Sequence, residues 1–287
     1  MVEDMKRLRL MVQVAFSIIT NGYAYGFLQG KIYRGGLKYA CVPGLNCYSC
    51  PGATAACPIG ALQALLNQRG LTVPFWALGF LFLFGSLLGR FVCGWLCPFG
   101  LVQDLLHKIP LFRKRKRLPF HRVLKYGKYA VLILLVGVGS AFLFSGFAKV
   151  PAFCKYLCPS GTLLGACRCW VPMRPCGARP AGCFLEGRRA AGGGDAVHQG
   201  IPSFCQYLCP LGAIYGWFNR FSLVQIHWET EQCVHCGACQ AACPVDLSVE
   251  EISKSPECIR CGKCAAACPR DCLHFFQAKR EAPDSDC

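Results

Sequence analysis

The chain has 287 residues, 54% of them hydrophobic, with 24 cysteines and a formal net charge of +16 from 31 Lys and Arg against 15 Asp and Glu. That length argues against a short disulfide-stapled secreted domain, and cysteines in metal-ligand spacings are expected as reduced thiols. The basic residues cluster beside apolar stretches with no aromatic–basic motif among them, so nucleic acid is excluded as a partner and membrane lipid is expected.

Residues 1–9 are basic through Lys6, Arg7 and Arg9, and residues 10–29 form an apolar stretch near the length of a bilayer span. A cleaved signal peptide is the alternative, but the stretch is long for one and no A-x-A site follows. Residues 30–70 hold Cys41, Cys47, Cys50 and Cys57 in a C-x5-C-x2-C-x6-C-P spacing, which suits either a further cluster or disulfides. Residues 71–89 read as a second, uncharged span running into Phe91-Val-Cys93-Gly-Trp-Leu-Cys97-Pro98-Phe-Gly100. C-x3-C puts both thiols one helical turn apart on one face, two ligands that need two more from elsewhere. A pair of unligated buried cysteines is the alternative. Residues 107–128 are strongly basic, with Arg113, Lys114, Arg115, Lys116 and Arg117 in succession, and mark a cytoplasmic loop beside a third span at residues 129–148. That span leads into Cys154-Lys-Tyr-Leu-Cys158-Pro159-Ser-Gly161, and a further copy follows at Cys205-Gln-Tyr-Leu-Cys209-Pro210-Leu-Gly212. Cys57, Cys97, Cys158 and Cys209 each head a C-P-x-G, so the region is an internal repeat.

Residues 166–202 break the pattern, being rich in Gly, Ala, Arg, Pro and Cys with little periodicity. Charge placement puts residues 1–9 and 107–128 on the cytoplasmic side, so a cytoplasmic C-terminus needs a fourth span here. Shifted by one nucleotide from Leu185, permitted codons for this stretch encode W-K-A-A-A-L-L-x-x-x-M-L-F-I-K, most of such a span. The natural protein is therefore expected to have four spans where three are apparent, with Cys167, Cys169, Cys176 and Cys183 lying in out-of-frame text. A genuine Gly-rich loop is the alternative.

The last third carries two runs, Cys233-Val-His-Cys236-Gly-Ala-Cys239-Gln-Ala-Ala-Cys243-Pro244 and Cys258-Ile-Arg-Cys261-Gly-Lys-Cys264-Ala-Ala-Ala-Cys268-Pro269. Each is C-x2-C-x2-C-x3-C-P, the bacterial-ferredoxin pattern for [4Fe–4S] clusters, in which the fourth cysteine serves the other cluster. One cluster is then expected on Cys233, Cys236, Cys239 and Cys268, the other on Cys258, Cys261, Cys264 and Cys243. Structural zinc comes as paired C-x2-C units instead. Residues 221–228 read as the first strand of this α+β domain and 273–277 as its last. The expected organisation is a helical membrane region over residues 1–220, a two-cluster ferredoxin domain over 221–280 and a tail at 281–287. Cys93, Cys97, Cys205 and Cys209 are expected to share one side and one further cluster. Cys154, Cys158, Cys41, Cys47, Cys50 and Cys57 are candidates for another cluster or for redox thiols. Cys272 reads as a small core residue.

These motifs together resemble the bacterial membrane polyferredoxins of the NapH and NosR type. The resemblance rests on Cys41-Val-Pro-Gly-Leu-Asn-Cys47-Tyr-Ser-Cys50-Pro, on Arg90 to Asp104, on Phe153 to Pro159 and on the tandem ferredoxin runs. It implies an inner-membrane, multi-pass protein with a cytoplasmic ferredoxin domain that moves electrons between a quinol pool or soluble donor and a partner redox protein. A maturation factor for another metalloenzyme and a redox sensor are the competing classes. No C-x2-C-H motif, paired histidines within a span or dinucleotide-binding glycine motif points to haem, flavin or nicotinamide.

Overall fold

The computed structural model describes residues 2–29, 31–33, 35–47, 50–66, 75–108, 121–143, 153–154, 157–161, 203–252 and 255–275. The frame shift, the fourth span and the four cysteines of residues 166–202 lie outside the described residues, as does the tail.

Helix α1 (Val2–Thr20) is followed by α2 (Ala24–Gln29), α3 (Pro58–Leu66), α4 (Phe75–Leu88), α5 (Phe91–Trp95) and α6 (Pro98–Lys108). Then come α7 (His121–Leu124) and α8 (Gly127–Val131), which continues with wider, π-type winding over Leu132–Leu143. Helices α9 (Ser203–Tyr207) and α10 (Pro210–Phe218) precede strand β1 (Ile226–Trp228), and α11 (Ala238–Ala242), α12 (Val249–Ile252), α13 (Lys263–Ala267) and β2 (Leu273–Phe275) are the last of the described elements.

Among the described residues no helix is long and apolar enough to cross a membrane. This overturns the membrane-helical fold class expected from hydropathy; the described fold is mostly helical, with one two-stranded sheet. Charges and their partners supply the physical reason. The first half of α1 carries Glu3, Asp4, Lys6, Arg7 and Arg9, and its inner face is polar. Arg9 Nε and Gln13 Nε2 donate to the Gly94 carbonyl at 2.8 and 2.9 Å, and Arg9 also pairs with Asp104. Helix α4 runs for only 14 residues before Gly89 takes a left-handed φ of +54°. Lys128, immediately before the third apolar stretch, is fully buried and paired with Glu257.

The apolar core of the N-terminal region gathers Leu45, Ile59, Val92, Phe99, Phe153, Phe204 and Tyr215 around the repeat cysteines. At the C-terminus β1 and β2 pair antiparallel with Ile226 opposite Phe275 and Trp228 opposite Leu273. Beneath them Ile226, Val245, Leu247, Ile252 and Leu273 form a second core that includes Cys243, Cys258 and Cys264. The first strand is shorter than the sequence suggests. Leu223 and Val224 instead donate backbone N–H groups to the carbonyls of Ser86 and Leu87 at 3.2 and 3.3 Å. Those carbonyls end α4 and have no partner within the helix.

Candidate iron–sulfur centres

The two ferredoxin runs fold alike. Gly237 and Gly262 take φ of +73° and +76° and start α11 and α13, while His235 and Arg260, and Asp246 and Asp271, repeat the same left-handed positions. Such φ values are cheap for glycine and tolerable for aspartate in turns. A cavity of about 250 Å³ is lined by Cys233, Cys236, Cys239 and Cys268. A second, closed to about 10 Å³, is lined by Cys243, Cys258, Cys261 and Cys264. Each set thus takes three cysteines from one run and one from the other. Cys236 is exposed and Cys233, Cys239 and Cys268 are half-buried, whereas all four thiols of the second set are buried.

Cys272 is more than a core residue. It lines the first cavity, with its Sγ 3.1 Å from that of Cys268. Burial raises the Cys268 thiol, but the bond from Cys272 and nearby backbone N–H groups outweigh it and bring Cys268 below the ordinary thiol range. Cys272 itself is pushed up to about 12 by burial and by that bond. The sequence signal was its C-x3-C spacing from Cys268.

Arg260 is buried beside the second set and bonded only to neutral acceptors, the Leu88 and Asn219 carbonyls and Ser222 Oγ. No carboxylate pairs with it among the described residues. Burial pulls the guanidinium down to about 10, against the opposing pull of Cys258. A buried cation without a counter-charge is costly. A cluster bound through four thiolates supplies that negative charge, so this set fits a [4Fe–4S] group.

The C-P-x-G copies share a different local logic. Cys209 Sγ accepts the Gly212 N–H at 3.4 Å and caps α10, with Pro210 in its first turn. Burial raises the thiols of Cys57, Cys97 and Cys158, and backbone N–H groups two or three residues on oppose that rise. Proline suits the first helical position because that N–H has no partner there. The glycine allows a close turn. A Cβ on Gly100, Gly161 or Gly212 would lie 3.0, 2.6 or 2.9 Å from the carbonyl oxygen of Cys93, Cys154 or Cys205.

The structure brings Cys93, Cys97, Cys205 and Cys209 together. Cys205 has its thiol 3.3 Å from Gln103 Oε1 and also bonds the Cys209 sulfur, which raises Cys205 and lowers Cys209. Cys93 is pushed up to about 12, chiefly by burial, with the other thiols adding to it and Arg90 opposing. Among the described residues no three His, Cys, Asp or Glu side chains converge closely enough to hold a single metal ion. A cubane instead presents four separate irons, so an all-thiol set spread in an apolar cluster suits it.

A 4Fe–4S binding domain matches residues 55–74, 69–119, 130–171 and 202–229, and a 4Fe–4S dicluster domain matches 225–269. The chain is 31% identical over 203 residues to the uncharacterized protein MJ0750 of Methanocaldococcus jannaschii, covering 67% of this chain and 74% of that one. The chain belongs to the 4Fe–4S ferredoxin-type family. Similar relatives include the methylamine utilization ferredoxin-type protein MauN of Paracoccus denitrificans, 29% identical over 54% of this chain and 48% of MauN. The putative electron transport protein YccM of Escherichia coli is 24% identical over 58% of this chain and 44% of YccM. The matched part thus spans about half the length of these two relatives. No solved structure matches.

This ferredoxin-type protein binds more than one [4Fe–4S] cluster. Its two cysteine-rich regions are joined by a buried polar seam. Arg90 donates to the carbonyls of Pro256 at 2.7 Å and Cys205 at 3.0 Å and to Glu257 Oε2 at 3.0 Å. Glu257 also pairs with Lys128, and the two cations outweigh burial to hold its carboxyl below the usual range. Burial and Arg90 bring Lys128 down to about 8 despite Glu257. Two cations against one carboxylate leave one positive charge over, beside the Cys93 and Cys205 elements. Trp95 Nε1 donates to the Arg260 carbonyl at 3.0 Å, and a Cβ on Gly94 would lie 2.5 Å from the Ile259 oxygen. Helix α5, carrying Cys93, therefore lies directly on the loop that carries Cys258 and Cys261.

Proposed function

We propose that this protein is an electron conduit, exchanging electrons with a redox protein that docks over Cys233, Cys236, Cys239 and Cys268. The path continues through Cys243, Cys258, Cys261 and Cys264 to a third cluster on Cys93, Cys97, Cys205 and Cys209. The observation that carries this reading is the direct seating of α5 on the Cys258–Cys261 loop, through the Trp95–Arg260 bond and the Gly94 approach. When bound, a [4Fe–4S] cluster supplies one-electron transfer. The chain's own residues grade the path from exposed to buried. Cys236 lies at the surface, where a partner can approach. Arg260 and the surplus positive charge of Arg90 and Lys128 offset thiolate charge at the inner sets. The carrier at the far end is a quinol or a soluble donor. The similarity to MauN, a ferredoxin-type protein, and to YccM, a putative electron transport protein, supports this class of role.

The test is Cys93→Ala in anaerobically purified full-length protein. It is expected to lose about four iron per chain and one reduced-state EPR signal while the ferredoxin signals persist. Unchanged iron content and spectrum would count against the third site.

A further inference from the structure

A second group of thiols stands beside the Cys93 set, drawn from the other two C-P-x-G copies and the loop before them. Cys57 and Cys158 are buried in the same apolar cluster, with Cys154 packed against it. A Cβ on Gly60 would lie 3.9 Å from Cys154 Sγ, so the start of α3 faces that thiol. The Cys154 thiol donates to Gln63 Oε1 at 3.2 Å. Gln63 is six residues after Cys57, as Gln103 is six after Cys97, and Gln103 holds Cys205 in the same way at 3.3 Å. The first and third copies therefore meet as the second and fourth do. Both glutamines are buried, and Gln63 is itself fixed by a bond from Nε2 to the Leu135 carbonyl at 3.2 Å.

One position breaks the correspondence. The residue four before the Cys-Pro is Cys93, Cys154 or Cys205 in three copies, but Ala53, fully buried, in the first. The pairing of copies thus supplies only three thiols: Cys57, Cys154 and Cys158. The preceding loop brings the fourth. The Asn46 carbonyl accepts the Cys57 N–H at 3.1 Å, which places Cys47 next to the start of that copy.

We propose that Cys47, Cys57, Cys154 and Cys158 hold a fourth [4Fe–4S] cluster, with Cys47 taking the place that Ala53 leaves vacant in the repeat. Gln63 acts as a positioning residue for Cys154. The same loop reaches the neighbouring set, where the Leu45 N–H lies 3.4 Å from Cys97 Sγ and a Cβ on Gly44 would lie 2.9 Å from Cys97 Cα. Two residues of one loop thus separate the sets. The inference extends the conduit reading by one site and rests on it only for its role, since the thiol set stands on its own geometry.

The test measures iron, acid-labile sulfide and reduced-state EPR on the full chain purified without oxygen. Wild type is expected to hold about sixteen iron. Cys154→Ser and Cys47→Ser are each expected to lose about four iron and the same EPR signal, with the signal lost in Cys93→Ala retained. Cys41→Ser, in the same loop but outside the set, is expected to keep full iron and shows that the loop tolerates substitution. About twelve iron in wild type, unchanged in Cys154→Ser, overturns the fourth site and leaves the Cys93 site standing. About eight overturns both. Loss in Cys154→Ser with full retention in Cys47→Ser overturns the assignment of Cys47. Mapping the chelation-dependent alkylation of wild type adds a measurement free of variants. Cys47 and Cys154, both half-buried, are expected to label only after iron is removed, and labelling before removal overturns the proposal.

Discussion

Arg90→Met removes the cation at the centre of the seam. The wild-type guanidinium makes three bonds at 2.7 to 3.0 Å, one of them to Glu257, and the residue is 1% exposed. Hydrogen bonds to charged groups contribute roughly 1.5–3 kcal/mol each. Breaking a buried pair by removing one partner costs about 3–5 kcal/mol, because the other charge stays buried. Lys128 still faces Glu257, which favours the lower end. At roughly 2–4 °C per kcal/mol, the apparent Tm of the iron-loaded protein is expected to fall by about 10 °C. Loss of the Cys205 contact also loosens the Cys93 set, so its EPR signal should broaden or diminish while that of the exposed ferredoxin set persists. Differential scanning fluorimetry under nitrogen, alongside EPR on the same samples, reads both. A Tm within about 2 °C of wild type, with an unchanged spectrum, would show that the seam does not join the two regions.

Arg260→Leu removes a buried cation beside Cys258, so the second ferredoxin centre should become harder to reduce. A drop of about 60 mV corresponds to a tenfold change for one electron, and an unchanged potentiometric midpoint would exclude the counter-charge role. Gly262→Ala should destabilise the protein more than Gly237→Ala. Both positions cost about 1–2 kcal/mol for left-handed φ, but only at Gly262 does a Cβ also meet Phe275, at 2.9 Å; equal loss in the two variants would refute the packing argument. Under limited oxidant or chelator, iron should leave the set containing exposed Cys236 before the buried sets, and simultaneous loss followed by EPR would contradict the graded burial.

The ferredoxin runs were legible because ligand spacing and loop geometry are local. Three cysteines and a left-handed glycine on one tight loop need no tertiary context. Hydropathy misled for the helices because it does not see partners. Lys128, Arg9 and Gln13 bond across the interior, which apolar stretch length cannot reveal. The four C-P-x-G copies are visible as a repeat and the second pairs with the fourth as the sequence suggests, but the mate of the third is harder to read. The mate of Cys154 depends on Gln63, far away in the chain, and on the loop at Asn46, whose carbonyl accepts the Cys57 N–H. Cys272 reads from the sequence as a small core residue, and only the structure shows its thiol beside that of Cys268. The binding-domain match stops at residue 171 and resumes at 202, leaving the irregular stretch between unmatched.

Iron and acid-labile sulfide per chain, measured on anaerobically purified protein with spin-quantified EPR after reduction, test the central claim most directly. The account predicts about sixteen iron with matching sulfide, and signals from clusters beyond the tandem ferredoxin pair. Eight iron, with the C-P-x-G cysteines titrating as thiols, would contradict it.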